Sequence, residues 1–286
     1  MSRAVVLAAP AKINLTLEVT GRRDDGYHDL ASVFATIGLC DRVRVAKAEG
    51  LDVRISPPLD GSVGEDLASR AVRALAAASG RPAAAYVRIR KRIPVASGLG
   101  GGSSDAGAVI RGLKDLWRIG AIDLGVVGAS VGSDVPFFAS GAAFALVRGR
   151  GERVDALTAP PLEIWAVLVR VNAKVSTRAI FAAHRERFSD GARSLELADA
   201  FERGVATPTF IRDRLVNDLR DTTERVVPEA QHALARARER GVELAMSGSG
   251  PSLFTLADDR RDALRIARIL RRTGLRAHAH PLGVTP

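Results

Sequence analysis

Cysteine is nearly missing. Cys40 stands alone among 286 residues, which excludes an internal disulfide and any multi-cysteine metal site. Aromatic residues make up only 5% of the chain, a poor supply for the base-stacking platforms of RNA and single-strand readers. Lysine is also scarce. Lys12, Lys47, Lys91, Lys114 and Lys174 are the only ones, and the 42 basic residues less these five leave 37 arginines. No apolar run approaches the roughly 20 residues of a membrane-spanning helix; the longest, such as Ile164–Val169, are of strand length. Ser2–Pro10 reads as a strand instead of a leader, and a cytoplasmic setting is expected.

The remainder is ordinary globular composition, 47% hydrophobic and 26% charged. The length suits two domains or one two-lobed domain. A net charge of +10 would fit a nucleic-acid partner. Yet the arginines run from Arg3 to Arg276 and mix with acids on helical faces, as in Arg260–Arg272. They read as solvated surface from a compositional preference for arginine. The expectation is a small anionic substrate, with no nucleic acid and no membrane.

Alternation dominates the first fifty-odd residues: Ile13, Leu15, Leu17 and Val19 on one strand face, then Val43 and Val45, then Leu51, Val53 and Ile55. A turn-rich stretch, Gly21–His28, separates the first two runs. The pattern predicts a helix over Glu65–Ser79, a strand over Tyr86–Lys91 and a helix from Ser103 or Ser104 to Trp117. Beyond Pro160–Pro161 the predicted order is strand Ile164–Val169, helix Thr177–Glu186, further helices, strand Val242–Met246, strand Ser252–Leu256, helix Asp259–Thr273 and strand Leu275–Ala279. That succession is close to a split β-α-β with helices inserted.

The most informative segment runs from Pro94 to Ala106, with glycines at 98, 100, 101 and 102 followed by Ser103, Ser104 and Asp105. It follows a strand and enters an amphipathic helix. Glycine lets backbone amides approach a ligand, and a helix N-terminus favours an anion. A Walker loop would need Lys after its glycine, and a dinucleotide fingerprint begun at Gly98 would need glycine at 103, where serine stands. Both are excluded. A second loop, Ser247-Gly248-Ser249-Gly250-Pro251, would by itself be a hairpin turn.

Two side chains are candidates for chemistry. Asp134 lies in Gly132-Ser133-Asp134-Val135-Pro136-Phe137-Phe138, where a carboxylate among apolar residues is costly unless paired; alone it would more often be a turn or cap residue. Lys12 and Asn14 point to one side of a strand, opposite Ile13 and Leu15. Solvent exposure is the plain reading, but a lysine in an arginine-rich chain hints at a place for a compact ammonium. His28 has no nearby His or Cys to share a metal.

Together these segments resemble the GHMP kinase superfamily, named for galacto-, homoserine, mevalonate and phosphomevalonate kinases. Ala9–Leu15, Pro94–Ala106 and Ser247–Phe254 are similar to its three motifs, in order, and the resemblance extends from Ala9 to about Ala279. Gly21–His28 and Gly132–Phe138 resemble the branch whose acceptor is a cytidylyl sugar-alcohol phosphate. The resemblance implies a two-lobed α+β fold. Residues 1–160 would be a ribosomal-protein-like β-α lobe and 161–286 a ferredoxin-like lobe. It implies an ATP-dependent kinase of isoprenoid precursor synthesis, using Mg2+ held by ATP oxygens, a loop serine and water, and working as a monomer or weak homodimer. Asp134 would be the general base and Lys12 its electrostatic partner. Pro94, Gly98, Leu99, Gly100, Gly101, Gly102, Ser103 and Ser104 would hold ATP. Asn14, Tyr27, His28, Thr177, Phe181, Gly248, Ser249 and Gly250 would face the substrate, with Tyr27 and Phe181 opposed across the cleft. The family's asparagine before the Leu67 helix is Asp66 here. Rival readings are a mevalonate- or homoserine-type kinase and a non-catalytic nucleotide-binding relative; having both Lys12 and Asp134 argues against the latter.

Overall fold

The alternation from Ile13 to Val19 becomes two strands, because the chain bends at Leu15. In the computed structural model, which describes residues 3–58, 66–184 and 187–285, β1 (Ala4–Asn14) and β2 (Thr16–Arg22) follow one another along one edge of β3 (His28–Lys47). The opposite edge of β3 takes β5 (Ala85–Arg90) and β6 (Phe144–Gly149). Then β4 (Leu51–Ser56) lies parallel to β5, and β7 (Arg153–Ala156) antiparallel to β6. The two-residue β9 (Val216–Asn217) joins from the second half, parallel to β2. Among the described residues this sheet has eight strands, and the 20-residue β3 is its spine.

One face of the sheet is covered by α1 (Leu67–Ser79), α2 (Gly101–Trp117), α3 (Leu124–Val131) and α4 (Val135–Ser140). Val43, Val45, Val87 and Ile89 from the strands meet Val72, Leu75, Ile110 and Leu113 from the helices, all fully buried. Burial of each such side chain contributes about 1.5–3 kcal/mol, which makes this face the larger anchor of the lobe.

The second half begins with β8 (Trp165–Arg170) and continues through α5 (Thr177–Ala183), α6 (Ala192–Glu202), α7 (Pro208–Arg212), α8 (Arg220–Val226) and α9 (Pro228–Arg238). It closes with β10 (Ala245–Met246), β11 (Leu253–Ala257), α10 (Arg260–Arg271) and β12 (Arg276–Pro281). These four strands form an antiparallel sheet in the order β10-β11-β8-β12. This is the split β-α-β that the element order suggested, in the ferredoxin-like arrangement that the resemblance implied. The halves interlock. Ile37 of β3 bridges Leu282, the Thr36 hydroxyl donates to Val284 O at 2.6 Å, and buried Glu18 of β2 accepts from the backbone and hydroxyl of Ser194 on α6.

Several boundaries differ from the sequence reading. The expected helix start at Glu65 lies outside the described residues, as does its expected counterpart end at Glu186; α1 begins at Leu67 and α5 ends at Ala183. Asp66 is the N-cap of α1, accepting from Ser69 N at 2.9 Å. Helix α2 starts at Gly101, not at Ser103 or Ser104. Gly100, in the left-handed region at φ 69°, stands at the cap position and no side chain caps the helix, because the glycine backbone bends in ahead of the serines. The strand expected over Val242–Met246 shortens to Ala245–Met246, since Val242 N returns to Ala237 O and Leu244 O is taken by Arg220.

Candidate active site

Lys12 sits near the end of β1, four-hundredths exposed, with its ammonium enclosed by three groups. It donates to Asn14 Oδ1 at 2.6 Å, lies 3.6 Å from Asp134 Oδ2, and stands 4.4 Å over the Phe34 ring. Burial pushes its pKa down, and the Asp134 carboxylate pushes the other way. Asp134 occupies the N-cap position of α4, yet its side chain makes no capping bond. It faces the lysine, so the cap reading fails and the carboxylate stays available to the cavity, at 30% side-chain exposure.

The two glycine loops are in contact. A Cβ on Gly98, whose φ is 76°, would run into Ser247 O and come within 2.9 Å of Gly250 O. Only glycine allows that approach. The Ser247 hydroxyl donates to Gly98 O at 2.9 Å, and Gly248 N donates to Asn14 Oδ1 at 2.8 Å. Asn14 thus receives Lys12 and the second loop on one oxygen while its nitrogen donates to Ser32 at 2.9 Å. At 2% exposure its polar atoms are spent on protein partners. Asn217 of β9 donates to Met246 O and Gly248 O, and the Thr223 hydroxyl to Ser249 O. The second loop, read alone as a hairpin turn, is therefore held from behind and pressed against the first.

Between these parts lies a cavity of about 530 Å3. Its lining includes Lys12, Asn14, Asp134, Pro94, Gly98, Gly100, Gly101, Gly102, Ser103, Thr177, Phe181, Gly248 and Ser249. Leu99 and Ser104 are buried beneath the loop, and the Ser104 hydroxyl has no hydrogen-bond partner. The Thr177 hydroxyl meets Ser249 Oγ at 2.9 Å, so α5 and the second loop meet at one wall. The ring set against Phe181 is His28, with centroids 5.2 Å apart, and His184 stands edge-on to His28 at 6.4 Å. Tyr27 is half-exposed, outside the cavity lining, with the Arg150 guanidinium 5.4 Å from its ring. The ring that meets Phe181 is thus His28, the half-buried first residue of β3, and not Tyr27; His28 and Gly250, like Tyr27, lie outside the cavity lining.

Sequence reading missed a second buried charge cluster in the wall of the cavity. Lys91 donates to Asp41 and to Asp105 Oδ2, the latter at 2.6 Å; Asp41 also accepts from the backbone amides of Arg92 and Ile93. Lys91 and Asp105 line the cavity beside Ile55, Leu67 and Ile89. Burial works against the Lys91 charge, but Asp105 and Asp41 outweigh it and its pKa rises. Asp105 is pushed up to about 7 by burial, with Lys91 opposing and Asp41 reinforcing the shift. The one available signal was lysine's rarity, which applies to Lys91 as it did to Lys12. Among the described residues no group of three or more His, Cys, Asp or Glu could hold a metal.

A buried ammonium facing a partly exposed carboxylate, two glycine loops and apolar side chains beside Lys91 and Asp105 line one cavity, an arrangement that suits a phosphotransferase with a small-molecule acceptor. Residues 66–142 match the family described as GHMP kinases N terminal domain, and residues 210–275 match GHMP kinases C terminal. The chain belongs to the GHMP kinase family, whose members use ATP. It is 41% identical to the 4-diphosphocytidyl-2-C-methyl-D-erythritol kinase of Moorella thermoacetica over 282 residues, covering 94% of this chain and 96% of that one. The enzyme of the same name from Exiguobacterium sibiricum is 35% identical, covering 93% and 94%. A crystal structure of 4-(cytidine 5'-diphospho)-2C-methyl-D-erythritol kinase superposes with a TM-score of 0.78 at 36% identity, over 98% of this chain and all of that one. Homoserine kinase from Cytophaga hutchinsonii superposes at 0.72 with 17% identity, covering 100% and 96%, and shares the fold.

The Asp105 shift has a consequence for stability. Its folded pKa of about 7 exceeds the ordinary 3.8, so folding takes up a proton between those values. Its contribution therefore falls as pH rises from about 4 to about 7. Asp105→Asn removes that loss and leaves Asp41 and Lys91 as a one-to-one pair. Melting temperature of the variant minus that of the native chain should climb from about pH 5 to about pH 8 in thermal scans. Parallel profiles would show that Asp105 is ionised throughout.

Proposed function

We propose that this chain transfers the γ-phosphoryl group of ATP to the 2-hydroxyl of 4-diphosphocytidyl-2-C-methyl-D-erythritol, a step in non-mevalonate isoprenoid precursor biosynthesis. The observation that carries this reading is the Lys12–Asp134 pair, 3.6 Å apart in a cavity walled by both glycine loops. Its likeness to the Moorella thermoacetica relative supports the choice of acceptor. Asp134 takes the hydroxyl proton as general base. Lys12, held by Asn14 and 3.6 Å from that carboxylate, stabilises charge on the phosphoryl oxygens. The loop amides ahead of Ser104, whose own amide bonds to Gly100 O, cradle the phosphates, and the unpartnered Ser104 hydroxyl beneath the loop is left free to donate to a phosphate oxygen. The described side chains offer no cage for magnesium, so ATP oxygens and water would carry most of its ligands; when bound it supplies charge neutralisation between phosphates. We divide the lobes at Pro160–Pro161, between β7 and β8.

The cytidylyl end of the substrate meets Phe181, with His28 packed against that ring, and Thr177, Gly248 and Ser249 form the connecting wall. Tyr27 closes from the rim. The ring pair favours this acceptor over mevalonate or homoserine, neither of which has an aromatic base to stack.

Three variants test the reading. Asp134→Asn should lower kcat by roughly 10²–10⁴-fold with nucleotide affinity nearly unchanged; a variant keeping more than about a tenth of native turnover removes Asp134 as the base. Lys12→Arg should fail as well. A planar guanidinium has no room between Asn14 at 2.6 Å and the Phe34 ring at 4.4 Å, and full activity would contradict the tight enclosure. Phe181→Ala should raise KM for the cytidylyl substrate by roughly 5- to 150-fold, the equivalent of about 1–3 kcal/mol of stacking, and leave KM for ATP in place. Equal damage to both constants would point to a mevalonate- or homoserine-type acceptor.

A further inference from the structure

The strand register gathers arginines that lie far apart in the sequence. Across β3 and β5, Arg42 lies opposite Arg90 and Arg44 opposite Arg88; across β5 and β4, Arg88 lies beside Arg54. All five are exposed, on the sheet face away from α1 and α2. Ala8 and Val6 of β1 extend the same two rows. Among the described residues the one carboxylate ion-paired with this block is Asp52, 2.9 Å from Arg54, whose guanidinium also covers the Tyr86 ring at 5.6 Å. Lys47 and Glu49 stand at its border. Arg42 and Arg90, with Arg92, also line a hollow of about 380 Å3 beside Cys40 and Asp41, and the Asp41 carboxylate is committed to Lys91. Like charges placed directly opposite across strands destabilise a sheet, and here two such pairs adjoin a third.

We propose that this face binds the phosphate backbone of double-stranded nucleic acid, without sequence preference. Guanidinium forks match phosphate in a bidentate way. They are spaced about 4.8 Å across strands and about 6.7 Å along them, while a duplex carries one charge per about 1.7 Å of axis. Several phosphates are therefore in reach in any register. A single strand would need stacking surfaces, and Tyr86, the one aromatic of this face among the described residues, is already covered by Arg54. A membrane would need apolar anchors, and of the exposed large hydrophobics among the described residues only Val6 lies here. A duplex is rigid and uniformly charged, so neither partner has to be ordered on binding, unlike a flexible acidic segment. The surface points away from the Lys12–Asp134 cavity, so binding leaves phosphoryl transfer untouched.

The test is fluorescence anisotropy of a labelled DNA duplex of about 20 base pairs with the full chain, at several salt concentrations. Four or five neutralised phosphates give a slope of log K on log salt of about −4, hence a loss of about 10²-fold between 50 and 200 mM. Arg88→Glu places a carboxylate between Arg44 and Arg54. It should weaken binding at least about tenfold and flatten the slope, while turnover stays unchanged and the melting temperature holds or rises as repulsion becomes pairing. The Arg42→Gln, Arg44→Gln double variant should show the same loss without adding an acid. The proposal is overturned by an absence of duplex binding at 50 mM salt or by undiminished binding in both variants, which would move the contact to the arginines of α10. It is likewise overturned if vesicles containing phosphatidylserine, or poly-glutamate, bind more tightly than the duplex.

Discussion

An ammonium removed from water must be surrounded by groups that replace its hydration, and much of this molecule is arranged to do so for Lys12. Asn14 gives it an oxygen, but an amide can aim that oxygen only if its other atoms are fixed. Ser32 fixes the nitrogen from β3, and Gly248 N shares the oxygen from the other lobe. The second glycine loop is in turn braced by Asn217 and Thr223 and seated against Gly98. One desolvated charge thus ties together a strand edge, two glycine loops and the residues behind them. Asp134 completes the set, and its partial exposure leaves that side of the cage open to the cavity.

Much of this was legible in the sequence where a local rule had no competitor. The alternation in β3, β4 and β5, the amphipathic α2 and the split β-α-β order all came through, because period and chain order are local properties. The pairing of Lys12 with Asp134 followed from resemblance, and the geometry gives it a physical basis. The cap of α2 was misplaced because serine is the stronger capping residue by type, while the glycines took that position by conformation.

What the sequence hid depends on register and on long-range contact. Lys91 is one residue past β5 and reads as a surface lysine, yet Asp41 and Asp105, 50 and 14 residues away, enclose it. Phe181 finds His28 instead of Tyr27 since one residue of strand register decides which ring turns inward. The arginine rows of β3, β4 and β5 are invisible in a composition that scatters arginine everywhere; only pairing reveals that they are aligned.

The bond from Gly248 N to Asn14 Oδ1 spans 234 residues. At about 5–20 residues per second of synthesis, β1 leaves the ribosome roughly ten to fifty seconds before the loop that completes its site exists. Through that interval Asn14 Oδ1 lacks its second donor, although Asn14, Phe34 and Asp134, which enclose the Lys12 ammonium, have all been made by residue 134. The first lobe can gather its apolar face around α1 and α2 early, since those contacts lie within the first half. The bracing of Asn14 by the second glycine loop is a late event in the life of each chain, set by arrival of β10 and β11 and not by the strand that carries the lysine.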